Sequence, residues 1–254
     1  MNSTDVLTGE LTLTGRITTA SNGTFIGTIE DTPVVYKPIA GERPLWDFPD
    51  GSLAHRELAA YQVARALGWD LVPTTWLGEG PFGPGMMQRW QQPDASQEAV
   101  AVVRASDGVP EGMLAVLEAV DNDNEPVLVV HEDSAALRRM ALFDLITNNA
   151  DRKGGHVLAM ADGHRYGVDH GLTFHAEPKL RTLLWGWAGE PFHTEEVATI
   201  ERFQSELDAL TSVLAELIAT DEMDALAQRC EALLAHQQFP VPPGGGMAIP
   251  WPPL

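Results

Sequence analysis

A chain of 254 residues has room for one domain, or for one domain built as two lobes. At 44% hydrophobic and 20% charged residues it reads as a globular chain and not a disordered one. Thirty-six acidic against 16 basic residues leave a net charge of −20, which is repelled by phosphate backbones and anionic lipid and so argues against nucleic-acid binding and stable membrane attachment.

The first 40 residues predict strands. Leu11, Leu13 and Ile17 alternate with polar residues at period two. Asn22-Gly23 is a hairpin turn signal, because both positions tolerate positive φ. Phe25, Gly27 and Ile29 form the returning strand, and Pro33 to Pro38 is a third strand that carries Lys37. Gly41 to Gly51 is a loop. Ser52 is placed to cap a helix whose Leu53, Leu58, Tyr61, Ala64 and Leu67 recur at helical spacing, with Gly68 as its stop. Val72 to Leu77 and Met86 to Trp90 predict two more strands around a Gly80–Gly85 loop.

From about residue 91 the chain reads as helical. Glu111 to Val120 is one predicted helix. A second, capped by Asp133 or Ser134, carries Leu137, Met140, Ala141, Phe143, Leu145 and Ile146 and is broken by Asn148 to Gly155. Val157–Met160 and Arg165–Val168 form a short hairpin around Asp162-Gly163. Thr194–Ala219 and Asp221–His236 are amphipathic helices. Pro240 to Leu254 holds six prolines and three glycines; it reads as extended or disordered, a short ligand for a protein partner. Strands gathered in one part and helices in the other predict an α+β fold.

The single cysteine, Cys230, excludes an internal disulfide and fits a reducing compartment. No apolar run reaches the ~18 residues of a membrane span. Met1 to Glu10 lacks the basic and apolar pattern of a signal peptide. A soluble, cytoplasmic protein is expected.

The chemistry gathers between Asp144 and Asp169. Asp151 sits where a helix gives way to a polar turn, and Asp169 ends a strand. Two acidic positions on neighbouring loops converge on one divalent cation, and Mg²⁺ takes hard oxygens from one or two carboxylates plus substrate phosphates. Lys37 is suited to neutralise those phosphates, and Glu57 (or, alternatively, Glu42) to hold Lys37 by an ion pair. The plainer reading makes Asp151 and Asp169 solvated turn residues. Asp144 and Asn149 read as structural, Asp144 pairing with Arg152 or capping the loop. Asp121 to Glu125 is acidic enough for a calcium loop, but Pro126 stands where such a loop needs glycine. Trp185-Gly186-Trp187 reads as core packing ahead of a substrate platform, and Cys230 as a small core residue.

This order of features resembles the protein-kinase-like fold, in its phosphatidylinositol 3-/4-kinase and bacterial HipA-type branch. The Asp-x-x-x-x-Asn-x-Asp-Arg stretch of those relatives is matched by Asp144, Asn149, Asp151 and Arg152. Val168-Asp169-His170-Gly171-Leu172-Thr173-Phe174 is similar to a stretch of the type II phosphatidylinositol 4-kinases. The resemblance covers roughly residues 10 to 190 and is of a kind met in actinobacterial proteins. It implies a two-lobed fold: an antiparallel-sheet lobe over 1–90, a mainly helical lobe over 91–239 and a Pro-rich tail over 240–254. It implies ATP and Mg²⁺ or Mn²⁺ in the cleft, and transfer of the γ-phosphoryl group to a hydroxyl of a small polyol, an inositol-like compound or a protein Ser/Thr.

Under that resemblance Asp151 orients or deprotonates the acceptor, with Arg152 and Lys153 beside it. Asp169 holds the metal. Lys37, held by Glu57, binds the α/β-phosphates. The Ser21-Asn22-Gly23-Thr24 turn covers the phosphates, and Gln88, Arg89 and Trp90 form the hinge against adenine. Two departures stand out: His156 occupies the place of the family's metal-binding Asn, and Lys153 follows Asp151-Arg152 where the family has His. Imidazole favours Mn²⁺ over Mg²⁺. The His156 departure also leaves open a nucleotide-binding regulatory module without turnover, and the same cleft would serve AMP transfer.

Overall fold

The computed structural model describes residues 6–18, 20, 22–43, 45, 47–48, 52–242 and 248–254. Strands β1 (Thr12–Arg16), β2 (Phe25–Ile29), β3 (Thr32–Pro38), β4 (Thr75–Gly80) and β5 (Gly83–Arg89) form one antiparallel sheet in the order β1-β2-β3-β5-β4. Side chains alternate between its faces. Val34 and Tyr36 pack on one face with Ile29, Trp76 and Met87, which sends Lys37 to the other. On that other side helix α1 (Leu53–Ala66) joins β3 to β4 in sequence and packs on β4 and β5.

The ends of α1 follow local chemistry. The Ser52 side chain accepts from His55 N, and the Glu42 carboxylate accepts from Leu53 N and Ala54 N at 2.9 and 2.8 Å. A negative charge there meets the positive end of the helix dipole. Glu42 is therefore a helix cap and no partner of Lys37. Gly68, at φ +72°, takes the left-handed turn that ends the helix.

The expected Gly80–Gly85 loop is mostly strand. A side-chain carbon at Gly85 would sit 2.5 Å from Lys37 O, and one at Gly80 2.6 Å from the Tyr36 ring. These glycines allow β3, β4 and β5 to pack under Tyr36, a close approach rather than a turn.

The helical reading of Glu111 to Val120 is corrected. Strands β6 (Val100–Arg104), β7 (Met113–Val120) and β8 (Pro126–Glu132) form a second antiparallel sheet, ordered β6-β8-β7. Leu114, Ala115, Leu117, Glu118 and Ala119 are good helix formers, so local preference misled. Pairing with valine-rich β8 decides the outcome. Asp121 to Glu125 is the turn of the β7–β8 hairpin, and Asp121 Oδ1 accepts from Asp123 N and Glu125 N at 2.9 Å.

The remaining regular elements are helices apart from one small hairpin. Helix α2 (Ala135–Thr147) is capped by Ser134, whose side chain accepts from Leu137 N. Strands β9 (Val157–Ala159) and β10 (Arg165–Gly167) form the expected hairpin. Helices α3 (Thr194–Leu214) and α4 (Thr220–His236) close the main core with α1 and α2, around Leu142, Phe143, Ile146, Ile200, Phe203 and Leu226. Trp185 and Trp187 are buried, as core packing requires. Cys230 is also buried, and burial pushes its thiol up to about 12. The molecule is thus α+β, with an antiparallel-sheet N-terminal part and a mainly helical C-terminal part.

The described end of the tail, residues 248–254, folds back onto the body. Ala248 O accepts from Thr182 N and from Trp185 Nε1 at 3.0 and 2.9 Å, and Pro253 O accepts from Gly154 N at 2.9 Å. Proline supplies no donor but leaves its carbonyls free, and these find partners on the body. These residues are therefore held on the body and not disordered.

Candidate active site

Three elements far apart in sequence meet at Lys37. Its Nζ lies 2.5 Å from Glu57 Oε1 on α1 and 2.6 Å from Asp169 Oδ1, just after β10. Glu57 is buried, and its second oxygen accepts from His170 N at 3.0 Å. Asp169 holds a left-handed backbone at φ 60°, a conformation Asp tolerates better than most residues. Its carboxylate is 50% exposed, so the cluster opens to solvent on that side.

The charges lean on one another. Burial pulls the Lys37 ammonium down, but Asp169 and Glu57 outweigh it and hold the amine protonated above its ordinary value. Lys37, against burial, holds Asp169 well below the usual carboxylate range. Burial raises Glu57 while Lys37 opposes the rise.

Asp151 sits on the turn after α2. Asn149 Oδ1 accepts from Asp151 N at 3.0 Å, and Lys153 Nζ lies 3.1 Å from Asp151 Oδ2. Burial raises its carboxyl above the usual range, with Lys153 opposing. The turn rests on a buried polar knot. Asp144 accepts from Arg152 Nε and Nη2, from Asn149 Nδ2 at 2.9 Å and from Thr182 Oγ1 at 3.0 Å. Arg152 also donates to His156 O, to Val168 O and, at 2.7 Å, to His170 Nε2. Arg152 is fully buried and braces the loop from behind, as Asp144 and Asn149 also do.

His156 links the two aspartates. Its Nδ1 lies 2.8 Å from Asp151 O, and a carbonyl accepts only, so that nitrogen carries the proton. Burial keeps the ring below its ordinary pKa, although Asp169 opposes this. The neutral ring then presents the Nε2 lone pair to Asp169 Oδ2, 3.4 Å away. Two acceptors facing each other suit a shared cation, and an Nδ1–H on a carbonyl is the usual support of a histidine ligand. The donor set thus fits a metal held by Asp169 and His156. Among the described residues no cluster of three His, Cys, Asp or Glu completes such a site, so phosphate and water oxygens would supply the rest.

The remaining expected residues bond elsewhere. Asn22 Oδ1 accepts from Arg43 N at 3.0 Å, and Gly23 N donates to Gly41 O at 3.3 Å, which ties the turn to the segment after β3. Thr24 Oγ1 donates to Asn22 O; Ser21 lies outside the described residues. Gln88 is buried on β5 and donates from Nε2 to Thr75 Oγ1 at 2.8 Å. Arg89 N and Trp90 N donate to Thr74 O and Pro33 O at the exit from the sheet. The structure therefore brings Lys37, Glu57, Asp169, His156 and Asp151 together and sets Gln88, Arg89 and Trp90 at the end of β5, an interior strand of the sheet.

Sequence reasoning missed His170, Thr173 and Thr182. His170 is buried, packs edge-on against Phe143, and is held well below its ordinary pKa by burial and then by Arg152. Its position directly after Asp169 was the only signal available.

No family model matches the chain. The crystal structure of a Helicobacter pylori proinflammatory kinase, CtkA, matches at 12% identity with a TM-score of 0.47, over 91% of this chain and 93% of that one. A likeness that loose carries no argument. Protein Rv2133c of Mycobacterium tuberculosis is 47% identical over 258 residues, covering 96% of this chain and 92% of its own. Identity at that level, along nearly the whole of both sequences, settles the relationship: this chain belongs to the family of Protein Rv2133c.

Proposed function

We propose that the chain is a kinase-like phosphotransferase that uses ATP and a divalent metal to move the γ-phosphoryl group to a hydroxyl, in the manner of the phosphatidylinositol 3-/4-kinase and HipA-type branch. The observation that carries this reading is the meeting of Lys37, Glu57 and Asp169, residues up to 132 positions apart, at an open edge between sheet and helices. A lysine aligned by a buried glutamate and set beside an exposed carboxylate is what polyphosphate and its cation need. The lobes are 1–90 and 91–239, with 240–254 as the tail.

In this reading Lys37 neutralises the α/β-phosphates while Glu57 keeps its ammonium aimed. Asp169 and His156 hold Mg²⁺ or Mn²⁺, which supplies charge neutralisation on the phosphates. The turn at Asn22 and Gly23 lies over them, and Gln88, Arg89 and Trp90 face adenine. Asp151 takes the proton of the acceptor hydroxyl as its oxygen bonds to the γ-phosphorus. The bond from that phosphorus to the β–γ bridging oxygen breaks, and ADP leaves. A carboxylate raised by burial is a better proton acceptor near neutral pH. Lys153, 3.1 Å from Asp151, is placed to offset charge on the transferring group.

The acceptor is a small polyol, an inositol-like compound or a protein Ser/Thr. Net charge −20 disfavours an anionic bilayer. No helix among the described residues is long and apolar enough to cross a membrane, and a cytoplasmic site of action is part of the proposal.

The test is thermal stability with and without ATP, under Mg²⁺ and under Mn²⁺, for the parent and for Asp169→Ala. Ligand at ~100 times its dissociation constant adds about 2.7 kcal/mol. A metal-dependent shift lost in the variant supports the site; no shift under either metal overturns it. ATP labelled at the α- or at the γ-phosphate then separates AMP transfer from phosphoryl transfer.

A further inference from the structure

Helix α1 carries a second charged group beside Glu57. Successive residues leave a helix about 100° apart, so Arg56 points away from Lys37. It reaches instead α4 and the segment that follows Asp169. Arg56 Nη1 lies 2.6 Å from Glu222 Oε1 on α4 and donates at 2.8 Å to Thr173 O, and its guanidinium lies over the Phe48 ring at 5.2 Å. Both charged side chains are buried. The second Glu222 oxygen accepts from Ala219 N at 3.0 Å, so α4 fixes its own carboxylate before Arg56 arrives.

A buried ion pair is a poor device for stability, since apolar side chains of similar size serve as well. It is a good device for direction, because a guanidinium has a fixed donor geometry. The direction matters here. Arg56 and Glu57 grip the same short segment: Glu57 accepts from His170 N, Arg56 donates to Thr173 O, and Thr173 Oγ1 donates to His170 O at 2.7 Å. Movement of α1 along its axis or about it breaks both grips at once.

We infer that Arg56 and Glu222 form a latch between the sheet part and the helical part that fixes α1 where Glu57 meets Lys37. Arg56 is then a positioning residue for the nucleotide site, which rests on the ATP reading above. The Lys37–Glu57–Asp169 cluster is assembled before any ligand arrives, and α1 does not swing to make or unmake it.

The test replaces both charges together, Arg56→Met with Glu222→Leu, so that neither is stranded. Hydrogen exchange of the full chain is followed at α1, at residues 169–173 and at α4, and the 2′(3′)-O-(N-methylanthraniloyl) derivative of ATP with Mg²⁺ is titrated by fluorescence. Expected is a rise of about tenfold in exchange at α1 and 169–173, with the amides around Leu226 and Cys230 unchanged. Affinity for the ATP derivative falls about fivefold, and Glu222→Gln, whose single acceptor oxygen can stay on Arg56 only by giving up the cap on Ala219 N, loses less. Exchange unchanged at α1 and 169–173, or raised equally through α4, overturns the latch.

If the double variant does not fold, the native chain is read in rising denaturant. The latch requires the His170 amide and α1 to open only together with α4, and earlier opening overturns it. The two readings also separate. The expected exchange in the double variant, with a parent that binds no ATP derivative, removes the ATP reading and leaves the latch. A parent that binds it, with exchange unaltered in the double variant, removes the latch alone.

Discussion

Asp144 and Asp169 each meet a cation on another element, and there the likeness ends. Asp144 is fully buried, and Arg152, Asn149 and Thr182 together saturate its oxygens. Asp169 is half exposed, carries Lys37 on one oxygen and faces the unprotonated side of His156 with the other. One carboxylate is closed and the other open. A closed ion pair fixes a loop, because every lone pair already has its donor. An open one keeps capacity for a ligand, which is why ligand binding is expected at Asp169 and the brace at Asp144.

The comparison breaks most visibly at the closed end. Arg152→Met strands Asp144 in the core and is expected to cost about 3–5 kcal/mol of folding stability, read from urea unfolding. A cost below ~1 kcal/mol, the range of surface pairs, would mean that the knot is slack. Next is the reacting centre: Asp151→Asn is expected to lower phosphoryl transfer by ~10²–10⁴-fold while ATP binding persists. Unchanged transfer removes Asp151 from the role of base.

Titration sharpens the same contrast. Burial depresses the pKa of His131, His156 and His170 in the folded chain, so below ~6.5 the unfolded chain binds protons that the folded one refuses. Their contribution is full above ~6.5 and is lost as pH falls below it. Melting temperature is expected to drop between pH 7.5 and pH 5.5, and a flat profile would refute the neutral buried rings. The smallest effect belongs to the open carboxylate. Asp169→Asn should change stability by less than ~1 kcal/mol, since the group is half in water and Lys37 keeps Glu57. A larger loss would make Asp169 a brace like Asp144.

Much of this was readable from the chain. The Lys37 strand, the Ser52 and Gly68 helix limits, and the pairing of Asp144 with Arg152 follow from local patterns, and the structure has each of them. The tight turn expected at Asn22-Gly23 is not among them: residues 17–24 separate β1 from β2, and Gly23 does not take a positive φ. The meeting of Lys37 with Glu57 was legible only through the order of features, since nothing local shows that residues 37, 57 and 169 converge. Strand β7 was illegible because its leucines, alanines and glutamate favour a helix until β8 pairs with it. The grip of Arg56 was equally hidden: an arginine on a helix carries no mark of a partner 166 residues away on α4. The proline-rich end misled because composition describes a segment alone, whereas Ala248 and Pro253 are held by donors on Thr182, Trp185 and Gly154.

Cys230 has a practical consequence. It is the chain's one thiol, it lies inside α4, and burial keeps it in the unreactive protonated form. A thiol reagent therefore has a single target, reached only when α4 comes away from its neighbours. The rate of labelling under native conditions is a clock for that opening, with no engineered dye or tag, and a ligand that tightens the molecule should slow it.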